Sequence, residues 1–185
     1  VRGLDALGEV SLHPHLAGAL RAAGLGVDRE RRYPQVQGRR RRSEGTRCDL
    51  VVTAEDRPLR DLRHEAPLFE EGRAVAEEEA VWLEVKVIPQ HLPGGANHRY
   101  AAEILRPPRA DVCKLSKDAG VRRAGLLLLL FTADRQVAEH DLRAWSQRAL
   151  DRGLEIESPH VRHVDILDRL GNRVCTVALF GLRRD

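Results

Sequence analysis

Charge interrupts two apolar runs in this chain, and a third run carries none. In Val81-Trp82-Leu83-Glu84-Val85-Lys86-Val87-Ile88, the alternation of a strand puts Val81, Leu83, Val85 and Val87 on one apolar face. Trp82, Glu84, Lys86 and Ile88 then share the other. Residues 46–53 form a second strand, with Asp49 near the start of its β-branched stretch. Residues 126–131, five leucines and a phenylalanine, read as a central strand buried on both faces and are too short to cross a bilayer.

Helical spacing of apolar residues marks three further segments. One starts near Pro14, with Leu12, Leu16, Leu20 and Ala23 in register, and ends at Gly24 and Gly26. Another covers 109–119, with Val112, Leu115 and Ala119 on one side and Gly120 as its stop. The third covers 137–150, with Ala138, Leu142, Trp145 and Ala149 as its stripe and Gly153 beyond.

A first strand is expected over 27–37, joined by a loop at 38–45 to the Asp49 strand. An acidic insertion at 54–80 is expected to be partly helical or mobile, and 89–108 reads as loop. Strands over 161–167 and 173–182 are expected to form a hairpin joined at Gly171-Asn172. The order is α-β-β-β-α-β followed by α-β-β. It predicts one α/β domain over 1–185, a mixed central sheet flanked by helices with a C-terminal helix and β-hairpin.

An acid and an amine two residues apart in a stretch that favours burial are costly unless paired or bound. The chain holds 28 arginines and three lysines, Lys86, Lys114 and Lys117. Lys therefore stands at position 86 in a sequence that otherwise answers the need for positive charge with Arg. A lysine is a compact point charge able to sit beside a metal-bound water or a phosphate. Asp49 and Glu84 can hold a hard divalent cation through oxygen, and the lysine can orient or deprotonate an attacking water.

The pattern Asp49, 34 residues, then Glu84-Val85-Lys86 resembles the PD-(D/E)XK nuclease superfamily, with element order agreeing over roughly residues 12–150. The chain departs from that pattern at Cys48, where the family often has proline. The resemblance implies a restriction-endonuclease-like core and a Mg²⁺-dependent nuclease, with Mn²⁺ able to substitute and DNA the expected substrate. Asp49, Glu84 and the Val85 carbonyl would bind the metal, and Asp49, Glu84 and Lys86 would form the catalytic set. Glu30 or Glu9 could add a further acid. A nuclease-like binding or assembly module in a larger complex is the alternative.

Net charge is only +3, so any nucleic-acid surface must be a local patch. Arg39, Arg40, Arg41 and Arg42 could grip a phosphate backbone or form a solvated loop. Arg109, Lys114 and Lys117, with Arg106, could make a second phosphate-facing surface or a solvated helix face, and Gln90 could touch substrate. Aromatic residues are scarce, against a single-strand stacking platform.

The three cysteines read as reduced, buried thiols of a cytoplasmic protein, and the Arg-, Ala-, Leu- and Gly-rich composition points to a GC-rich, bacterial genome. A homodimer or a partner protein stays open, and no membrane partner is expected. The histidine pairs His13/His15 and His160/His163 lack zinc-ligand companions in sequence and are expected in surface or capping roles. No P-loop, Rossmann fingerprint or serine elbow is present.

Overall fold

The computed structural model describes residues 3–34, 47–60 and 74–183. Its strands are β1 (Gly26–Arg32), β2 (Arg47–Thr53), β3 (Val81–Pro89), β4 (His91–Leu92), β5 (Gly95–Ala96), β6 (Arg123–Thr132), β7 (His160–Asp165) and β8 (Val174–Gly181). The helices are α1 (Glu9–Ala22), α2 (Tyr100–Leu105), α3 (Pro107–Lys117) and α4 (Arg135–Asp151). Six strands form one mixed sheet in the order β1-β2-β3-β6-β8-β7, and β4 pairs with β5 alone.

β1, β2 and β3 form an antiparallel meander. β3 then runs parallel to β6 from Val81↔Arg123 to Pro89↔Phe131. A parallel neighbour needs a crossover, which α2 and α3 supply. β6, β8 and β7 close the sheet by antiparallel pairing.

Helices cover both faces because both faces of the central strands are apolar. Leu126, Leu128 and Leu130 of β6 join Trp82, Ile88, Val112, Leu115, Leu142, Trp145 and Phe180 in one core beneath α3 and α4. Leu129, Leu83, Val85 and Leu50 join Ala17 of α1 in the other. The four predicted stripe residues of α4 are its buried residues. Asp134 caps the start of α4 by accepting from the Val137 amide at 2.8 Å. Its end is followed by Gly153 at φ 70°, a left-handed position that suits glycine.

Several boundaries differ from the sequence reading. α1 begins at Glu9, and Pro14 lies inside it. The backbone donor lost at Pro14 belongs to a turn whose Val10 is 73% exposed, so water can serve the orphaned carbonyl. β1 stops at Arg32, short of the expected 37. The stretch 89–108 is not mainly loop, since it holds β4, β5, α2 and the start of α3.

Asn172 is not simply a turn residue. It is fully buried, donating to Asp5 Oδ2 at 3.0 Å and to the His91 carbonyl at 2.9 Å. The described part of the insertion contains a short turn at Ala54–Asp56 and a bridge between Leu59 and Val75. Among the described residues no helix is long and apolar enough to cross a membrane.

Candidate active site

The candidate residues gather where β2 and β3 stop pairing. Their paired residues are Leu50↔Leu83, Val51↔Trp82 and Val52↔Val81, while β3 continues to Pro89 along β6. Among the described residues the edge of β3 beyond Leu83 therefore lacks a strand partner, and carboxylates take its amides. Val85 N–H donates to Asp49 Oδ2 at 2.7 Å, and Val87 N–H donates to Glu9 Oε2 at 3.2 Å. Capture by charged acceptors satisfies these donors strongly.

The alternation of β2 slips at Asp49. Cys48 packs with Val51 and Trp82, whereas Leu50 packs in the α1-side core, so residues two apart face opposite sides. The partner strand is irregular at the same level. Register runs from Arg29↔Leu50 to Arg31↔Cys48 with no pair between, and the intervening Glu30 has φ 54°. The Cys48 thiol donates to the Leu83 carbonyl at 3.2 Å, tying the two strands together just before they part. Burial, then the Glu84 charge, pushes that thiol well above its ordinary range.

Glu84 is 2% exposed. Lys114 Nζ lies 2.7 Å from its Oε1, and the Tyr33 hydroxyl donates to the same oxygen. Tyr33 stacks on Trp82 with ring centroids 5.6 Å apart, and the Lys114 amine sits 5.2 Å above the tyrosine ring. Burial, then the charge of Asp49, pushes the Glu84 carboxyl up to about 7 against the opposing pull of Lys114 and Tyr33. Burial and the neighbouring Cys48 and Glu84 hold the Tyr33 hydroxyl far above its ordinary range, so it remains a donor.

Lys86 lies between two acids, with its Nζ 2.8 Å from Glu9 Oε1 and 3.2 Å from Asp111 Oδ2. Burial draws its pKa down. The hydrogen bond to Glu9 and the charges of Asp111 and Glu9 outweigh that, leaving the amine above the ordinary lysine range. Asp111 is raised by burial, against the pull of Lys86. Asp111 and Lys114, three apart on α3, share a helix face and reach Lys86 and Glu84 respectively.

Asp49, Glu84, Lys86 and Glu9 thus come together. Glu30 falls beside Asp49, with His13. Lys114, partly exposed, donates to Glu84 Oε1 at 2.7 Å and to the Arg47 carbonyl at 2.8 Å. Arg109 and Arg106 lie on another side of α3, lining a pocket with Arg148 and Arg152. Lys117 is exposed. Gln90 Oε1 accepts from the Ala133 amide at 2.8 Å, bracing the end of β6. Arg39, Arg40, Arg41 and Arg42 lie outside the described residues.

Sequence reasoning missed Tyr33, Asp111 and the pairing role of Lys114. The three-residue spacing of Asp111 and Lys114, beside the buried Val112 and Leu115, was the available signal. It also misjudged His13, which is buried in α1 instead of lying at the surface. All three cysteines are free, and only Cys48 is fully buried, where the sequence leads one to expect three buried thiols. Comparison with protein-family models, with curated proteins and with solved structures finds no match to this chain.

Proposed function

We propose that this chain is a metal-dependent nuclease with a restriction-endonuclease-like core, hydrolysing phosphodiester bonds in nucleic acid, with DNA the favoured substrate. The observation that carries the reading is the shared cleft of Asp49, Glu84 and Lys86 at the divergence of β2 and β3. Asp49 accepts from the Val85 amide and its charge acts on Glu84, and Lys86, two residues along the same strand, is kept charged by Glu9 and Asp111.

The donor set suits Mg²⁺, with Mn²⁺ as a substitute. Asp49 and Glu84 offer hard oxygen ligands. The Val85 carbonyl faces the same open strand edge as the Val85 amide, because a strand residue's N–H and C=O point to one side. Four carboxyl groups, Asp49, Glu84, Glu9 and Asp111, stand with two amines, Lys86 and Lys114, and a bound cation would favour the ionised form of Glu84 that burial otherwise disfavours. When bound, the metal would neutralise a phosphate oxygen and lower the pKa of a water.

Lys86 acts in this reading as a charged donor that orients water and offsets negative charge. Its pairing with Glu9 and Asp111 argues against a role as a base. Glu9 positions Lys86 and caps the strand edge, while Lys114 offsets Glu84.

The test is cleavage of duplex, branched and single-stranded DNA with Mg²⁺ or Mn²⁺, with and without EDTA. Lys86→Ala is expected to lose on the order of 10²-fold or more in rate while keeping its circular dichroism and DNA affinity. Wild-type cleavage by Lys86→Ala refutes the assignment. A second reading, a nuclease-like binding or assembly module, draws on the internal pairing of both amines. Absence of cleavage on every substrate favours it.

A further inference from the structure

His13 of α1, Glu30 of β1 and Asp49 of β2 each offer one ligand atom, and the three atoms lie within 4.8 Å of one another. The imidazole is the informative member. It is 2% exposed, and its Nε2 is buried with no hydrogen-bond partner among the described residues. Its Nδ1 stands 3.7 Å from Glu30 Oε1, beyond hydrogen-bonding reach. A buried polar group left unpaired costs about 1–3 kcal/mol, and such groups are otherwise almost always satisfied by protein, water or an ion. Glu30, opposite Asp49 in the sheet, holds φ 54°, a region that non-glycine residues seldom adopt.

We propose that His13, Glu30 and Asp49 form a binding site for a divalent first-row transition ion. The site shares Asp49 with the Asp49–Glu84 pair but differs from it in donor chemistry, and it does not depend on the nuclease reading. Mg²⁺ prefers oxygen ligands and keeps much of its water. An imidazole nitrogen beside two carboxylates favours Mn²⁺ and the ions that follow it in the transition series.

Three elements bring the ligands together, so the site exists only in the folded chain. α1 supplies the histidine from the helix face that packs on the sheet, where Ala17 is also buried. β1 and β2 supply the two acids at the level where their ladder skips one pair. A simple His–Glu ion pair explains the arrangement less well, because 3.7 Å is beyond hydrogen-bonding reach.

The test uses the full chain stripped with EDTA and titrated with Mn²⁺. Bound ion is counted from the free Mn²⁺ resonance, and pulsed electron paramagnetic resonance detects an imidazole nitrogen coupled to it. Wild type is expected to show the nitrogen coupling, and Glu84→Gln is expected to retain it. His13→Gln should abolish it and weaken Mn²⁺ binding about tenfold or more.

Because His13 is buried, Glu30→Gln provides a second arm that spares the core, its side chain being 52% exposed. It should weaken Mn²⁺ binding with an unchanged melting temperature. No nitrogen coupling in wild type, coupling that persists in His13→Gln, or wild-type Mn²⁺ affinity in Glu30→Gln would each overturn the proposal. None of these results bears on cleavage by Lys86, so the two readings can fail separately.

Discussion

Glu84→Gln keeps the shape of a buried side chain while removing its charge, which isolates what that charge costs the fold. Burial and the Asp49 carboxylate move the Glu84 carboxyl from 4.5 to about 7. Between those values the folded chain binds a proton that the unfolded chain has released. Stability from this group is therefore complete below about 4.5 and declines as pH rises toward 7. The ionised form is disfavoured by about 3 kcal/mol, at ~1.4 kcal/mol for each pH unit.

Glutamine does not titrate, so the stability difference between Glu84→Gln and wild type should grow by about 2–3 kcal/mol from pH 5 to pH 8 in the variant's favour. At about 2–4 °C per kcal/mol for a chain of this size, that widens the melting-temperature gap by about 5–10 °C. The assay is thermal unfolding of both proteins across pH 5–8.5 with EDTA present. Adding Mg²⁺ should then raise the wild-type melting temperature and leave the variant nearly unmoved, by linkage to a ligand that binds the folded state. A pH-independent gap, or a variant that loses ground as pH rises, would refute the argument that a buried carboxylate is held here at a cost.

Two further outcomes follow from other parts of the chain. Asn172→Ala should cost about 2–4 kcal/mol in urea unfolding, because it strands the buried Asp5 carboxylate and the His91 backbone groups. A loss no larger than that of a surface substitution would count against the link. Replacing Arg39, Arg40, Arg41 and Arg42 by alanine should flatten the salt dependence of DNA binding by about 0.9 in slope for each phosphate that these arginines neutralise. Equal slopes for variant and wild type would mark the run as a solvated loop.

Local pattern was enough for the order of the main elements and for the faces of most of them. The alternation around Trp82 and Leu83 separates the two cores as the structure has them. The helical stripe from Ala138 to Ala149 is the buried face of α4, and the leucine run of β6 is covered on both sides. These features repeat over two to four residues, so their period is visible in the chain itself. The acids and the lysine of the cleft could be nominated for the same reason, since a charge inside an apolar strand stands out.

What the sequence could not convey is which side chains meet. Lys86 finds Glu9 from 77 residues away and Asp111 from another helix, and Glu84 finds Tyr33 and Lys114. The α1 boundary was missed because a proline in a helix is judged by local rules, whereas Glu9 is held by a strand-edge amide and an amine across the fold. His13 looked like a surface residue for a similar reason. Its burial depends on α1 packing against the sheet, and its nearness to Asp49 depends on an irregularity in β1 and β2 that no residue spacing announces. Periodicity determines which face of an element is apolar, but the divergence of two strands decides where charges gather.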